Sequence, residues 1–387
     1  MEKIKKYLLL FFLIENIAAQ TSLLGGYVDL FFYSFLVIGA FFILNGEVFS
    51  SENRKKFGVM YVLMAIYLIY EFIVGFEYLS SKTLLYVVAK IVTFGIIITS
   101  IGNYKEYYEN EAIRYLVLFM AFFLIYGVLT GQGMSSGSGR IRAGFTNENT
   151  TGGMGAMIIG MVLFYMKDKI WSYRTWILLV TGCFGVLAGG SRAGFLMLFI
   201  LVFLRYGMNI KTIMFGLLFL IFGLFILPKT GIKTVGLERL YATYQGKEKS
   251  NRETERAACI WMIEQSPWNG HGFNAQNKGY ARRLSVLGSH NGYLETYKFM
   301  GIPMATLYFL TIFISILSYL LTIRRYGEPI SLYGAMVLML LVKSMYEGLM
   351  VGVHEYGTTL FFVSMAIISA ETYEIKQKHN NINNIKL

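Results

Sequence analysis

Long apolar runs separated by short polar clusters dominate the chain. A bilayer-spanning helix needs roughly 20 apolar residues, with a range of about 17–25. Twelve runs meet or approach that length: 7–24, 27–44, 57–76, 83–101, 112–131, 150–166, 175–190, 193–207, 211–227, 291–321, 329–350 and 356–374. The pattern predicts a helix over each. The sixth and eighth are short, and the sixth is interrupted by glycine, a combination tolerated where protein rather than lipid surrounds the helix. Small residues recur at i, i+4 in two runs, Gly152/Ala156/Gly160 and Gly185/Gly189, as expected of helices that pack closely. The one long polar stretch is 228–290. Within it, Ser250–Glu253 reads as a capping box that starts an amphipathic helix, which Pro267 stops.

Composition agrees with a membrane protein. Hydrophobic residues make up 55% of the 387 and charged residues 15%, against about 25% charged in soluble domains. Mean hydropathy is +0.52. The expected fold class is an all-α polytopic integral membrane protein of about twelve transmembrane helices, forming one membrane domain over 1–387. The opening stretch, Met1–Lys6 followed by Tyr7–Ile14, resembles a signal peptide but lacks a clean cleavage site, so it reads as a retained first span.

Cations set the orientation, because short cytoplasmic loops are rich in Lys and Arg. With the N-terminus inside, the inner segments hold 18 cations and the short outer loops hold four (Lys82, Arg140, Arg142, Arg192). An even number of spans returns the C-terminus to the same side. Residues 228–290 then form a large extracytoplasmic loop, with ten cations against five Glu. The net charge of +12 falls in clusters between apolar runs, so it signals membrane topology and not a nucleic-acid partner. Only Asp29 and Asp168 among the 23 acids are Asp, which excludes D-x-D metal motifs and EF-hands, and there is no phosphate-binding G-x-x-x-x-G-K-[ST] loop. No metal site is expected. Cys183 and Cys259 read as packing residues.

The candidate chemistry gathers on the outer side. Residues 139–153 contain Arg140, Arg142, Asn147 and Asn149 just before a short span. Backbone N–H groups at a helix start can hold an anion, although an ordinary polar loop has the same composition. The hairpin at Gly189–Gly194 carries Ser191 and Arg192 near the membrane boundary. Arg192 there either binds phosphate oxygens or snorkels to lipid headgroups. Arg252 and Arg256 share one face of the loop helix, where loop Glu residues can also neutralise them. His290, followed by Asn291, stands where the loop re-enters the membrane and suits proton transfer. Together these make a cationic outer cavity with one base, suited to a phosphorylated, membrane-embedded substrate. His354–Glu355 is a reserve acid–base pair. Lys343 and Glu347, four residues apart, read as an ion pair.

Four segments, in order, resemble the O-antigen ligase/polymerase superfamily. Ala143–Asn149 resembles its Asn-x-Asn element. Gly190–Gly194 resembles its S-R-[GA] element. Arg252, followed by P-x-x-G-x-G at Pro267–Gly272, resembles its loop motif. His290–Leu294, followed by Gly301–Pro303, resembles H-N-x-x-L with a downstream G-[IL]-P. The chain departs from the family at Arg256, where Trp is usual, at Glu148, where Pro is usual, and at Met304, where a Gly is usual.

The resemblance implies a GT-C-like, metal-independent integral-membrane glycosyltransferase of the bacterial cytoplasmic membrane, with no cofactor. Its donor would be an oligosaccharide on undecaprenyl diphosphate. Arg192 and Arg252 would hold the diphosphate and His290 would take the proton of the attacking sugar hydroxyl. Arg140, Arg142, Asn147, Asn149, Ser191, Arg256 and Asn291 would contact substrate. A flippase and a chain-length regulator are the protein partners such an activity implies. Three functions stay open: a polymerase of lipid-linked repeat units for capsule, O-antigen or exopolysaccharide; a ligase moving finished glycan to lipid A core, protein or cell wall; and a non-enzymatic lipid or polysaccharide transporter. The Asn- and Lys-rich tail at Asn380–Lys386 suggests an A+T-rich genome and favours the first.

Overall fold

The computed structural model describes residues 2–21, 25–74, 81–130, 141–145, 147–165, 172–207, 209–221, 229, 252–273 and 290–385. They form helices α1 (Glu2–Ala19), α2 (Val28–Leu44), α3 (Ser51–Lys56), α4 (Gly58–Val74), α5 (Ser81–Tyr107), α6 (Ile113–Leu129) and α7 (Glu148–Tyr165). Then follow α8 (Tyr173–Gly189), α9 (Arg192–Tyr206), α10 (Ile210–Ile221), α11 (Arg252–Gln265), α12 (Gly292–Tyr326), α13 (Leu332–Ser344) and α14 (Tyr356–Ile385). Each of the twelve apolar runs coincides with one helix, and α11 lies in the long polar stretch as expected. Among the described residues the only β pairing is an isolated bridge between Thr21 and Phe145. By length and apolarity, Leu84–Leu129 and Gly292–Tyr326 are sufficient to cross a membrane.

Two helices form the centre. In α7 every residue from Thr151 to Leu163 is buried, and α14 is buried almost throughout from Tyr356 to Ala370. A helix that is apolar all round belongs inside a bundle. The helices around them expose large apolar side chains, among them Val37 and Leu44 of α2, Phe72 of α4, Phe122 of α6 and Phe313 of α12. Such a surface suits lipid and not water.

Glycine sets how closely α7 meets its neighbours. A Cβ on Gly155 would stand 2.5 Å from the Gly182 carbonyl oxygen and 2.6 Å from the Val186 nitrogen of α8. The predicted stripe faces α9 instead: a Cβ on Gly152 would lie 2.8 Å from Ser191 Cβ, and one on Gly160 2.6 Å from Leu201 Cδ1.

The bundle has two chemically distinct ends. At one, Lys5 pairs with Glu47 at 2.5 Å, Lys105 with Glu374 at 2.6 Å, and Ser369 donates to the Lys56 carbonyl at 2.7 Å. The chain reverses there between α5 and α6, through a non-helical Tyr104 and a π-helical turn at Tyr108–Ala112. The predicted inner-side clusters at 3–6, 54–56, 105 and 376–378 flank these contacts. At the other end of α1, Thr21 pairs with Phe145 and Glu15 with His354. An 18-residue helix separates the two by about 27 Å.

Two segments differ from the pattern. The run at 329–350 is helical only to Ser344, and residues 345–355 are irregular, with Met350 at φ 83°. The run at 291–321 extends to Tyr326 but breaks at Gly301 (φ 71°, ψ 170°), ahead of Pro303. Cys183 is half-buried and Cys259 buried, and both are free thiols.

Gly155→Ala forces α7 from α8 against backbone atoms and should destabilise the protein by about 1–3 kcal/mol. Gly216→Ala, inside α10 with open space around it, should not lower stability and should raise it by up to about 1 kcal/mol. Thermal unfolding of the detergent-purified variants measures both.

Candidate functional site

The site builds up from α7. Residues 141–145 fold back on the bundle, where the Ile141 N–H donates to the Ala188 carbonyl at 3.0 Å. Ala143 (φ 48°) and Gly144 (φ 79°) make a left-handed turn, and it is seated on Gly127 of α6, where a Cβ would stand 2.0 Å from the Ala143 backbone. Thr151 Oγ1 donates to the Arg142 carbonyl at 2.5 Å, and the Arg142 guanidinium pairs with Glu148 at 3.1 Å. Glu148 therefore takes up part of the Arg142 charge. Asn147 Oδ1 accepts from the Asn149 N–H at 2.8 Å and closes the start of α7. Thr146 and Arg140 lie outside the described residues.

The hairpin between α8 and α9 rests on this start. Gly190 (φ 56°) ends α8 in the left-handed region, and Ser191 Oγ caps α9 by accepting the Gly194 N–H at 3.3 Å. Ser191 is buried against Gly152. Its hydroxyl is a cap, and its chemistry is to aim Arg192, the first residue of α9, from a fixed backbone.

His290 and Asn291 open α12 on the far side. Asn291 Oδ1 accepts the N–H groups of Tyr293 and Leu294 at 3.0 and 3.1 Å. His290 itself sits at φ 48° with its side chain 39% exposed. A non-glycine residue in this region marks a conformation that the surroundings enforce. Its Nε2 stands 3.9 Å from Glu255 Oε2 of α11. Arg252 and Arg256 flank that acid on the same helix, and Arg256 Nη2 reaches the Met345 carbonyl at 3.5 Å.

The P-x-x-G-x-G segment docks on the break in α12. The N–H groups of His271 and Gly272 donate to the carbonyls of Lys298 and Phe299 at 3.0 and 3.1 Å, and the Ile302 N–H donates to the Pro267 carbonyl at 2.7 Å. Tyr70 OH of α4 also donates to the Phe299 carbonyl. A Cβ on Gly270 would lie 2.3 Å from the Phe299 oxygen, and one on Gly301 2.4 Å from the Trp268 oxygen. Two of the recognised motifs are thus the two halves of one joint, which carries α11 to the start of α12.

The irregular segment 345–355 joins the two sides, and the sequence reading missed it by extending a span to residue 350. Lys343, buried, pairs with Glu347 at 3.0 Å and lies next to Gly153 of α7. The Glu347 carbonyl accepts the Gly292 N–H at 3.0 Å, beside His290. A continuous path of contacts therefore runs from α7 and the Ser191 hairpin, through Lys343 and Glu347, to His290, Glu255 and Arg256. Polar Glu347 between Ser344 and Gly348, with Gly352 soon after, was the available signal that the helix ends early. The reserve residues are engaged elsewhere. His354 pairs with Glu15 at 2.6 Å and stacks on Phe32, while Glu355 accepts from Thr358 at 2.9 Å. Burial pushes the Glu355 carboxyl above the usual carboxylate range, with the Lys343 ammonium acting against it.

Residues 176–309, about a third of the chain, match the family model described as O-Antigen ligase. The match bears out the resemblance to the O-antigen ligase/polymerase superfamily. It takes in Ser191, Arg192, Arg252, Arg256, His290, Asn291 and both halves of the joint at Gly270 and Gly301, and it leaves out Arg142, Asn147, Asn149 and Glu347. No curated protein matches the chain.

Gly270→Ala or Gly301→Ala adds a Cβ to a left-handed glycine facing backbone. Either should release α11 from α12, so limited proteolysis should cut within 252–273 much faster than in the wild type, while the helical bundle stays intact.

Proposed function

We propose that this protein is a polymerase of lipid-linked oligosaccharide repeat units, for capsule, O-antigen or exopolysaccharide. It works on the outer face of the bacterial cytoplasmic membrane with both termini inside. In this reading 1–387 is a single membrane domain of about twelve spans and GT-C-like architecture, and 228–290 is its large extracytoplasmic loop. The observation that supports the reading is the joint that carries α11, the helix of Arg252 and Arg256, to the helix start beside His290. That helix start is linked through Lys343–Glu347 to the Ser191–Arg192 hairpin. The gathering of the cationic inner clusters at the opposite end of the bundle supports the orientation.

The chemistry follows from the side chains. The donor is a glycan on undecaprenyl diphosphate. Arg192 and Arg252 hold its diphosphate, because guanidinium forks match phosphate oxygens and stay charged. Arg256 and Arg140 add contacts from the loop side; Arg142, shared with Glu148, contributes less. His290 takes the proton from the acceptor hydroxyl as the oxygen attacks the anomeric carbon. A new glycosidic C–O bond forms, and the bond to the diphosphate oxygen breaks with its electron pair leaving on undecaprenyl diphosphate. The cations stabilise that developing charge, so no metal is called on. Attack opposite the leaving group inverts the anomeric centre. A flippase supplies the donor on this face, and a chain-length regulator acts on the product.

One observation favours the second reading, a ligase: the matching family model carries that description. The two readings use the same groups and differ only in the acceptor, which is a second lipid-linked glycan for the polymerase and lipid A core, protein or cell wall for the ligase.

Deleting the gene in its host and resolving the envelope glycans on a gel separates them. Collapse of the ladder to one repeat unit is the expected outcome. A ladder retained on its lipid carrier would instead identify a ligase, and an unchanged profile would overturn both in favour of transport. Complementation with His290→Ala or Arg192→Ala should fail, each losing about 10²-fold or more in activity. Rescue by either removes its assigned role.

A further inference from the structure

We infer that Glu255 is a positioning residue for His290, forming with it a carboxylate–imidazole pair that holds the base in place as it takes its proton; this rests on the reading of His290 above. Glu255 lies on the inward face of α11, among Ala258, Cys259 and Met262. An acid on an apolar, buried face costs free energy unless it has a partner. Its side chain is 7% exposed, and Oε2 has no hydrogen-bond partner. The only ionic group in reach of that oxygen among the described residues is His290 Nε2, at 3.9 Å.

The geometry is built from both sides. The backbone of His290 is held at φ 48° between the Asn291 cap and the Gly292–Glu347 backbone bond, which fixes where its side chain starts. Glu255 is brought to it by the joint at Gly270 and Gly301, which anchors α11 to the same helix that His290 starts. The gap is slightly longer than a hydrogen bond, and such contacts in an unliganded site tighten when substrate arrives. Chemically the pair works like the orienting acid of a catalytic triad. The carboxylate selects the ring orientation and stabilises the imidazolium that forms once the acceptor proton has moved to His290. The proton stays on the imidazole until product leaves, and Glu255 itself forms no bond to substrate.

The test uses full-length protein in vesicles and, as substrate, the lipid-linked repeat unit extracted from the deletion strain. Wild type, Glu255→Gln, Glu255→Asp, His290→Ala and the Glu255→Gln/His290→Ala double variant are compared by initial rate. Glu255→Gln should lower kcat by about 10²-fold with KM within about twofold. Glu255→Asp should recover most of that loss, and Glu255→Gln should cost nothing further in the His290→Ala background. If Glu255→Gln is as active as wild type while His290→Ala is not, the inference fails and the reading of His290 stands. An equal loss in both backgrounds assigns Glu255 to the fold alone and also overturns it. Wild-type rates in His290→Ala would instead overturn the role of His290 itself. Thermal unfolding of Glu255→Gln guards the comparison, since neutralising a buried acid should not lower stability.

Discussion

Helix α12 breaks at Gly301, and much of the architecture at that end of the bundle depends on how that break is satisfied. Backbone carbonyls freed inside an apolar bundle need partners, because leaving them without one costs several kcal/mol each. Here the carbonyls of Lys298 and Phe299 receive the N–H groups of His271 and Gly272 and the hydroxyl of Tyr70. The two N–H donors come from a tight loop that only glycine at 270 and 301 allows to approach. That loop directly follows α11. A requirement for backbone hydrogen bonds thereby fixes the position of a helix bearing two arginines and an acid.

A second constraint acts on the other wall. The close approach of α7 to α8 and α9 depends on Gly152, Gly155, Gly182, Gly185 and Gly189, whose missing side chains let backbone meet backbone. Because α7 starts with the Asn147 turn and α9 starts with Ser191, packing the helices tightly also brings Arg142 and Arg192 to the same end. Asn147, Ser191 and Asn291, three residues that a motif reading assigns to substrate, each also accept backbone N–H groups at a helix start. These caps hold the helix starts in place.

Between the walls lies a buried ion pair, Lys343–Glu347, at the end of α13. Removing one partner from such a pair strands a charge and costs about 3–5 kcal/mol. The pair stands where α13 stops and the irregular segment begins, and its backbone receives Gly292. It couples the α7 wall to the His290 wall, so the two halves of the cationic site are not independent loops.

Hydropathy alone located each long apolar helix of the bundle, because a run of about 20 apolar residues in a chain with so few charges has one stable conformation in lipid; the short, charged α3 carries no such signal. The positions of Lys and Arg divided the chain into two ends, and Pro267 marked where α11 stops, since proline acts locally; the cap expected at Ser250 lies outside the described residues. The arginines and the histidine could be put forward as candidates for the same reason: their chemistry is carried by residue type. What the sequence left undecided was which polar groups meet. That Glu148 shares Arg142, that Glu255 faces His290, that the Pro267–Gly272 loop is a structural joint and that residues 345–355 link the walls are contacts between segments far apart in the chain. No local pattern encodes them. They follow from helix packing distances and from the need to pair buried backbone and charge, which only the assembled bundle resolves.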